Sequence, residues 1–360
     1  MSLSENRTLI VAGSYAEAAS AGVYVYEFDA GRETLTLLDR KSGFQNPTFL
    51  CLDAPRRAVY ALTETKAEDG SKASDAVYMK LDPASGTLTE VNRSLANSGP
   101  TCHIQKSADD RYLTLTSYHE GLVSLVELEK DGRIGRLLDE RRHEGKSAHP
   151  ERQDRPHPHS SFYSPDGSYL FVCDLGLDRI RAYKVDNGKL LPHGDTALHP
   201  GAGPRHLTFH PNGAFAFVIN EVDSSIVSFR YDAVTGRLER VATVPTLPPD
   251  FEGENTCAEI AVSPDGKFLY GSNRGHDSIV VYAIDEATGE LAYVEHASVQ
   301  GGHPRHFSIL PGGRHLLAAN RDTNNLTLFR IDPVSGKLSY TGLSVSVSKP
   351  VCVWAATFAI

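Results

Sequence analysis

Two stretches of this sequence place the same charged pair behind a proline: GAGPRH, ending in Arg205-His206, and GGHPRH, ending in Arg305-His306. A third, RPHPHSS, sets His157 and His159 two residues apart in a similar context. Farther on come Asn220-Glu221, Asn273-Arg274 and Asn320-Arg321, each directly after a run of apolar residues. A guanidinium group binds carboxylate or phosphate through two parallel hydrogen bonds, so these arginines suit an anionic ligand. An imidazole titrates near neutral pH and can move a proton. Glu221 could activate water or orient a neighbouring His or Arg. The HxH spacing of His157 and His159 also resembles a metal motif, whose third ligand would have to be His143 or His149. Those two sit on a loop without defined reach, so acid–base chemistry is the expectation, with no metal and no cofactor. The plainer reading is that PRH is a blade-start signature whose Arg pairs with a neighbouring acid. Two copies plus Arg274 and Arg321 near one another favour a shared anion site.

These residues recur because the chain is built from repeats. Four segments share one pattern, starting at His159, Arg205, Ala258 and Arg305, and two weaker copies run from Pro47 to Val91 and from Thr101 to Leu138. Each reads as four short strands: an alternating strand, a turn of the SPDG, HPNG or LPGG type, an apolar strand, a polar loop, a third strand, and a fourth after a Gly-containing hairpin turn. A seventh unit assembles from both ends, residues 7–42 with residues 350–360. The mean of about 51 residues per unit is close to that of propeller blades. The expected fold is all-β, a seven-bladed β-propeller of four-stranded antiparallel blades forming one domain over residues 1–360. Pairing the N-terminal strands with the C-terminal strand closes the ring and protects its edges.

Successive strands of a meander reverse direction, so the entry to strand one and the loop between strands two and three share one face. That face collects His157, His159, Arg205, His206, Arg305 and His306 from the entries, and Asn220, Glu221, Asn273, Arg274 and Arg321 from the loops. Aligning on the SPDG turn puts His103 and Glu259 level with His206 and His306. The two longest insertions, residues 139–157 and 245–255, end there too. A mouth lined by guanidinium groups is a local positive site on an acidic chain, and low-dielectric walls strengthen its pull on an anion.

Composition narrows the partners. There are 36 Lys and Arg against 45 Asp and Glu, a net charge of −9, with no basic run, which speaks against nucleic acid. Apolar residues make up 40% and charged residues 22%, enough for a large core and unlike a disordered chain. No apolar run approaches the ~18 residues of a membrane span. The start, MSLSENRTLIVAG, lacks a basic, apolar leader, and the five scattered cysteines form no CxxC. A reduced, cytoplasmic protein, a monomer or weak homodimer acting on a small anionic substrate, is expected. Cys102, Cys173, Cys257 and Cys352 read as small core residues. No GxSxG, P-loop or dinucleotide fingerprint is present. A non-catalytic scaffold would favour apolar and aromatic residues on its binding face, and these loops are polar.

PHPHSS, GAGPRHL, the strand end FVINE and SNRGHDSI together resemble the seven-bladed propeller lactonase family. That family includes 6-phosphogluconolactonases of the propeller type and the fungal 3-carboxy-cis,cis-muconate lactonizing enzyme. By motif, the resemblance implies that the catalytic His falls on His157, with His159 as the close alternative. Its arginines fall on Arg205 and Arg274 and its glutamate on Glu221. Arg305, His306 and Arg321 are added from the repeat, and His159, His206, Asn220 and Asn273 complete the expected substrate contacts. For a lactonase, His157 or Glu221 would be the base for water attack and Arg205 or Arg274 would stabilise the oxyanion. For a cycloisomerase, the same arginines would hold carboxylates. The resemblance favours 6-phosphogluconolactonase, with the cycloisomerase and the scaffold as alternatives.

Overall fold

The structure, a computed structural model, describes residues 6–360; residues 1–5 of the expected domain lie outside it. Seven four-stranded antiparallel sheets form the blades. Six follow chain order, the first over residues 50–97 and the last over residues 304–346. In the seventh, Pro350–Ala359 pairs with Asn6–Ser14, followed by Val23–Asp29 and Thr34–Lys41. The two terminal strands run in register from Asn6 opposite Ala359 to Gly13 opposite Cys352, so the ring closes by ordinary strand hydrogen bonds. Among the described residues the only helical turn is Leu175–Leu177.

Apolar alternation drives the packing of blade on blade. Phe215, Phe217 and Ile219 of one blade meet Cys257, Ile260 and Leu269 of the next. Full burial of side chains this size contributes roughly 1.5–3 kcal/mol each. On the face away from the mouth, the SPDG-type turns satisfy themselves: Ser164 Oγ donates to Asp166 at 2.6 Å and accepts from Tyr169 N–H, and Ser263 does the same with Asp265 and Phe268. Those turns close mostly on themselves, with the Gly266 carbonyl also accepting from His210 Nε2 of the preceding blade at 2.8 Å, which fits a structural role.

Register settles which residues share the other face. Pro204 pairs with Asn220, Thr256 with Arg274, Pro304 with Asn320 and Pro158 with Asp174, so each strand-one entry stands opposite a strand-two end. In each case the next step is irregular. His159 has no partner between Pro158 and Ser160, Arg205 none between Pro204 and His206, and Arg305 none between Pro304 and His306. On Thr256–Val262 the irregularity takes up Ala258 and Glu259. A β-bulge adds one residue, bends its strand and redirects a side chain. Here it recurs at one level of four consecutive blades.

Candidate active site

Glu221 is the hub. It follows Phe215–Asn220, and its N–H is held by the Gly203 carbonyl at 2.7 Å. Gly203 adopts φ +67°, and a Cβ there would meet Val222 Cγ2 at 2.4 Å; only glycine fits this turn without strain. The carboxylate, 5% exposed, takes Arg205 Nε at 3.0 Å and Arg274 Nη2 at 2.9 Å on Oε2, while Arg152 Nη2 donates to Oε1. Burial pushes its proton affinity up, but Arg274, Arg205, His159 and Arg152 outweigh it and hold the carboxyl well below the usual range. Glu221 is therefore ionised, with little capacity to take a proton.

The arginines are fixed at their other ends by backbone carbonyls. Arg205 Nη1 donates to Ala258 O at 2.7 Å, and Arg274 donates from Nε to Thr256 O and from Nη2 to Cys257 O. Each thereby spends only part of its five N–H groups: Nη2 of Arg205 and Nη1 of Arg274 keep theirs. Burial, then Arg274 and Arg305, lower Arg205 to about 9, so it stays charged at neutral pH. Arg305 differs. Half-buried, it lies over the Tyr15 ring at 5.6 Å and makes no hydrogen bond or ion pair among the described residues. Three guanidinium groups thus converge on one carboxylate, and Arg305 makes no ion pair with it.

Of the two histidines, His159 is the one brought to this cluster. It occupies the bulge position equivalent to Arg205 and Arg305, and its Nε2 is 3.8 Å from Glu221 Oε2. Its Nδ1 is buried and unpartnered. Burial and the charge of Arg205 push it well below the ordinary imidazole value, against the pull of Glu221, so the ring is neutral. His157, equally buried, is held by other partners. Its Nδ1 donates to the Tyr118 carbonyl at 2.8 Å, its Nε2 is 3.5 Å from Asp154, and its ring stacks on Tyr118 at 4.2 Å. It makes no ion pair with Glu221. Tyr118 touches both histidines and accepts a hydrogen bond from Arg152 Nη2 at 3.4 Å.

Several expected contacts take other places. His206 and His306 lie beneath the mouth, buried on either side of Glu259: His206 Nδ1 is 3.1 Å and His306 Nε2 3.0 Å from Glu259 Oε2. Asn220 and Asn273, expected as substrate contacts, turn their side chains to internal partners. Both are fully buried and close the turn to strand three, Asn220 through Ser225 and Asn273 through Thr246 O and Ser278. Asn320 does the same with Thr327, which explains why Asn ends these strands. Arg321 lies at the rim, bound to Asp322 at 2.6 Å, and lines a cavity of about 600 Å³ with Tyr15 and Lys349. The third ligands considered for a metal are engaged elsewhere: His143 bridges Asp174 at 2.6 Å and Tyr183 at 2.8 Å, and His149 Nδ1 accepts from Arg152 N–H.

Arg152 is the residue that sequence reasoning missed. Strand Ile134–Arg142 absorbs the start of the long insertion, and residues 143–157 form a loop packed on Gly176, where a Cβ would meet the Arg155 carbonyl at 1.9 Å. Gln153 pins the loop, donating to Asp178 at 2.6 Å, and Asp178 also takes the Gly203 N–H at 2.7 Å. One carboxylate thus couples the insertion to the loop that carries Arg205. The available signal was the insertion's length and its end at the mouth.

A family model described as lactonase, 7-bladed beta-propeller, matches residues 9–355. A 6-phosphogluconolactonase of Bacillus subtilis is 33% identical over 295 residues, covering 82% of this chain and 83% of that protein. The structure of a periplasmic gluconolactonase of Pseudomonas aeruginosa superposes with a TM-score of 0.90 at 32% identity, covering 98% of this chain and 99% of that one. A protein of Lactobacillus plantarum gives 0.89 at 32% identity, covering 97% and 99%. With seven blades, one guanidinium-lined mouth and a match along nearly its whole length, the chain belongs to the seven-bladed β-propeller lactonase family.

Proposed function

We propose that this protein hydrolyses a phosphorylated sugar lactone, 6-phosphogluconolactone, at the mouth around Glu221. The observation that carries the reading is a neutral imidazole, His159, beside two buried guanidinium groups with spare N–H donors, and a third guanidinium, Arg305, left without an ionic partner. Arg305 takes the phosphate, and Arg321 at the rim adds to the attraction. The lactone carbonyl lies against Arg205 Nη2 and Arg274 Nη1. His159 accepts a proton from water as the water oxygen bonds to the carbonyl carbon, and the carbonyl electron pair moves onto oxygen between the two guanidinium groups. Collapse restores the carbonyl and breaks the ring C–O bond. The imidazolium returns its proton to the departing oxygen, leaving the open hydroxy acid. Glu221 serves as a positioning residue that sets both arginines.

The phosphate has a second effect. His159 is held unprotonated partly by the charges of Arg205 and Arg305. A dianion on Arg305 cancels part of that field and raises the basicity of the imidazole when substrate is bound. The test is hydrolysis of freshly made 6-phosphogluconolactone, corrected for spontaneous opening, with wild type, His159→Ala and His157→Ala side by side. Loss of activity in His159→Ala, with less effect in His157→Ala, is expected; the reverse order would return the base to His157. An inactive wild type that instead cyclises carboxymuconate would replace hydrolysis with lactonization on the same arginines. We also place the protein in the cytoplasm as a monomer or weak homodimer. All five cysteines are unpaired, which supports a reducing compartment. Cell fractionation and sedimentation check these points.

A further inference from the structure

Below the mouth, the channel holds a ring of buried side chains that the hydrolytic scheme leaves unused. His103, His206, His306 and Glu259 are each under a tenth exposed. Phe49 packs against all three imidazoles, with ring centroids 4.4, 5.8 and 5.5 Å away, and Phe162 and Trp354 pack beside it. In this apolar setting four imidazole nitrogens make no hydrogen bond: His103 Nε2, His206 Nε2, His159 Nδ1 and His306 Nε2, the last of which stands 3.0 Å from Glu259 Oε2. The His206 ring is edge to face with both others, at 5.5 Å from His103 and 5.4 Å from His159. Buried polar groups are rarely left unpaired, and those without protein partners are met by ordered water.

Neighbouring bonds set the tautomers. Ser161 N–H donates to His103 Nδ1 at 3.4 Å, so Nε2 of His103 carries the hydrogen. His206 turns Nδ1 to Glu259, so that nitrogen carries the hydrogen and Nε2 keeps a lone pair. Val353 N–H donates to His306 Nδ1 at 3.3 Å, so His306 Nε2–H faces the same carboxyl. The His206 ring, with its acceptor, therefore adjoins both the His103 donor ring and the His159 ring.

We propose that the channel binds one water molecule between His103, His206 and His159, and that Glu259 acts through His206 and this water as a positioning residue for His159. The inference rests on His159 being the base. The water accepts from His103 Nε2–H and from His159 Nδ1–H, and donates to His206 Nε2. His159 then keeps the hydrogen on Nδ1 and presents the Nε2 lone pair to the mouth. When Nε2 takes up a proton, the new charge is felt through the water and His206 by Glu259. The groups facing His159 are Glu221, Arg205, Arg305, His206 and Tyr118; those facing Glu259 are His206, His306 and Arg205.

The test combines a high-resolution crystal structure of the substrate-free protein, imidazole ¹⁵N NMR, and kinetics of Glu259→Gln and His206→Asn. Asparagine keeps a donor toward Glu259 but has nothing in the place of Nε2. Expected are an ordered water within hydrogen-bond reach of the three nitrogens, its loss in His206→Asn, and His159 protonated on Nδ1 in wild type. Both variants should lose about 10- to 100-fold in kcat with KM little changed, as when an outer partner of a functional imidazole is removed. The acidic limb of the kcat profile should move with them. Wild-type density empty of water, filled by a heavier ion, or a ring protonated on Nε2 overturns the relay. The density and the ring protonation need no substrate, so an inactive wild type would count against the proposed reaction alone.

Discussion

Replacing Glu221 with glutamine keeps the shape and removes the charge. The carboxylate is the common acceptor for Arg205, Arg274 and Arg152, and all its partners but Arg152 are nearly inaccessible to water. Glutamine offers one acceptor oxygen and an NH₂ that must point at a guanidinium donor. Removing one member of a buried ionic set typically costs about 3–5 kcal/mol, because the remaining charge is left uncompensated. At ~2 °C per kcal/mol for a domain of this size, Tm should fall by roughly 6–10 °C. Activity should fall further than stability implies, by about 10²–10³ in kcat, the usual loss when oxyanion donors are displaced. Differential scanning calorimetry in low salt, repeated with added sulfate or phosphate, separates the causes. An anion seated among the freed arginines should restore more Tm in Glu221→Gln than in wild type. A variant with unchanged Tm, near-normal turnover and no anion response would refute the view that Glu221 organises this mouth.

Other expectations follow from the same geometry. His103, His159, His206 and His306 are all held neutral in the fold by burial, His306 down to about 4. Unfolded imidazoles titrate near 6.5, so unfolding takes up protons below about that pH; stability present above it is lost as pH falls toward 4. Tm measured from pH 7 to 4 should drop, and less so in His103→Phe; a flat profile would mean the rings are charged in the fold. The acidic limb of kcat should lie at higher pH than that of kcat/KM, because bound phosphate raises the basicity of His159; coincident limbs would remove that coupling. Arg305→Gln should raise KM for the phosphorylated lactone about 10-fold or more with kcat nearly intact, and equal effects on unphosphorylated gluconolactone would show that Arg305 does not read the phosphate. Gly203→Ala should lower Tm by several degrees and turnover with it, since Cβ strikes Val222 and displaces the carbonyl that holds Glu221.

The blades and the ring closure were legible because alternation and turn residues repeat seven times, and TLIVAGSY at one end completes PVCVWAATFAI at the other. The shared face was legible as well, since strand direction alone brings Arg205, Glu221, Arg274 and Arg305 to one end. The choice between His157 and His159 was not. Two residues apart in sequence, His157 ends the loop and His159 lies on the strand Pro158–Tyr163, at the bulge, a difference that spacing alone does not announce. Depth was also hidden: His206 and Arg205 are neighbours in sequence, yet one descends into the channel while the other rims it. Arg152 comes from a loop whose path is set by His143, Gln153 and Asp178, contacts that no local pattern announces.

The recurring bulge makes the mouth modular. His159, Arg205 and Arg305 are rotational copies of a single slot, filled with different chemistry, and Ala258 belongs to the irregularity of the blade between the two arginines. A propeller can thus exchange a base for an anion anchor, or for open space, by one codon change, with no loop to rebuild and no strand to re-register. Related rings with this bulge can diverge in substrate by permuting slot residues around the axis, and Ala258, the smallest occupant, is where an added side chain would reshape the site most.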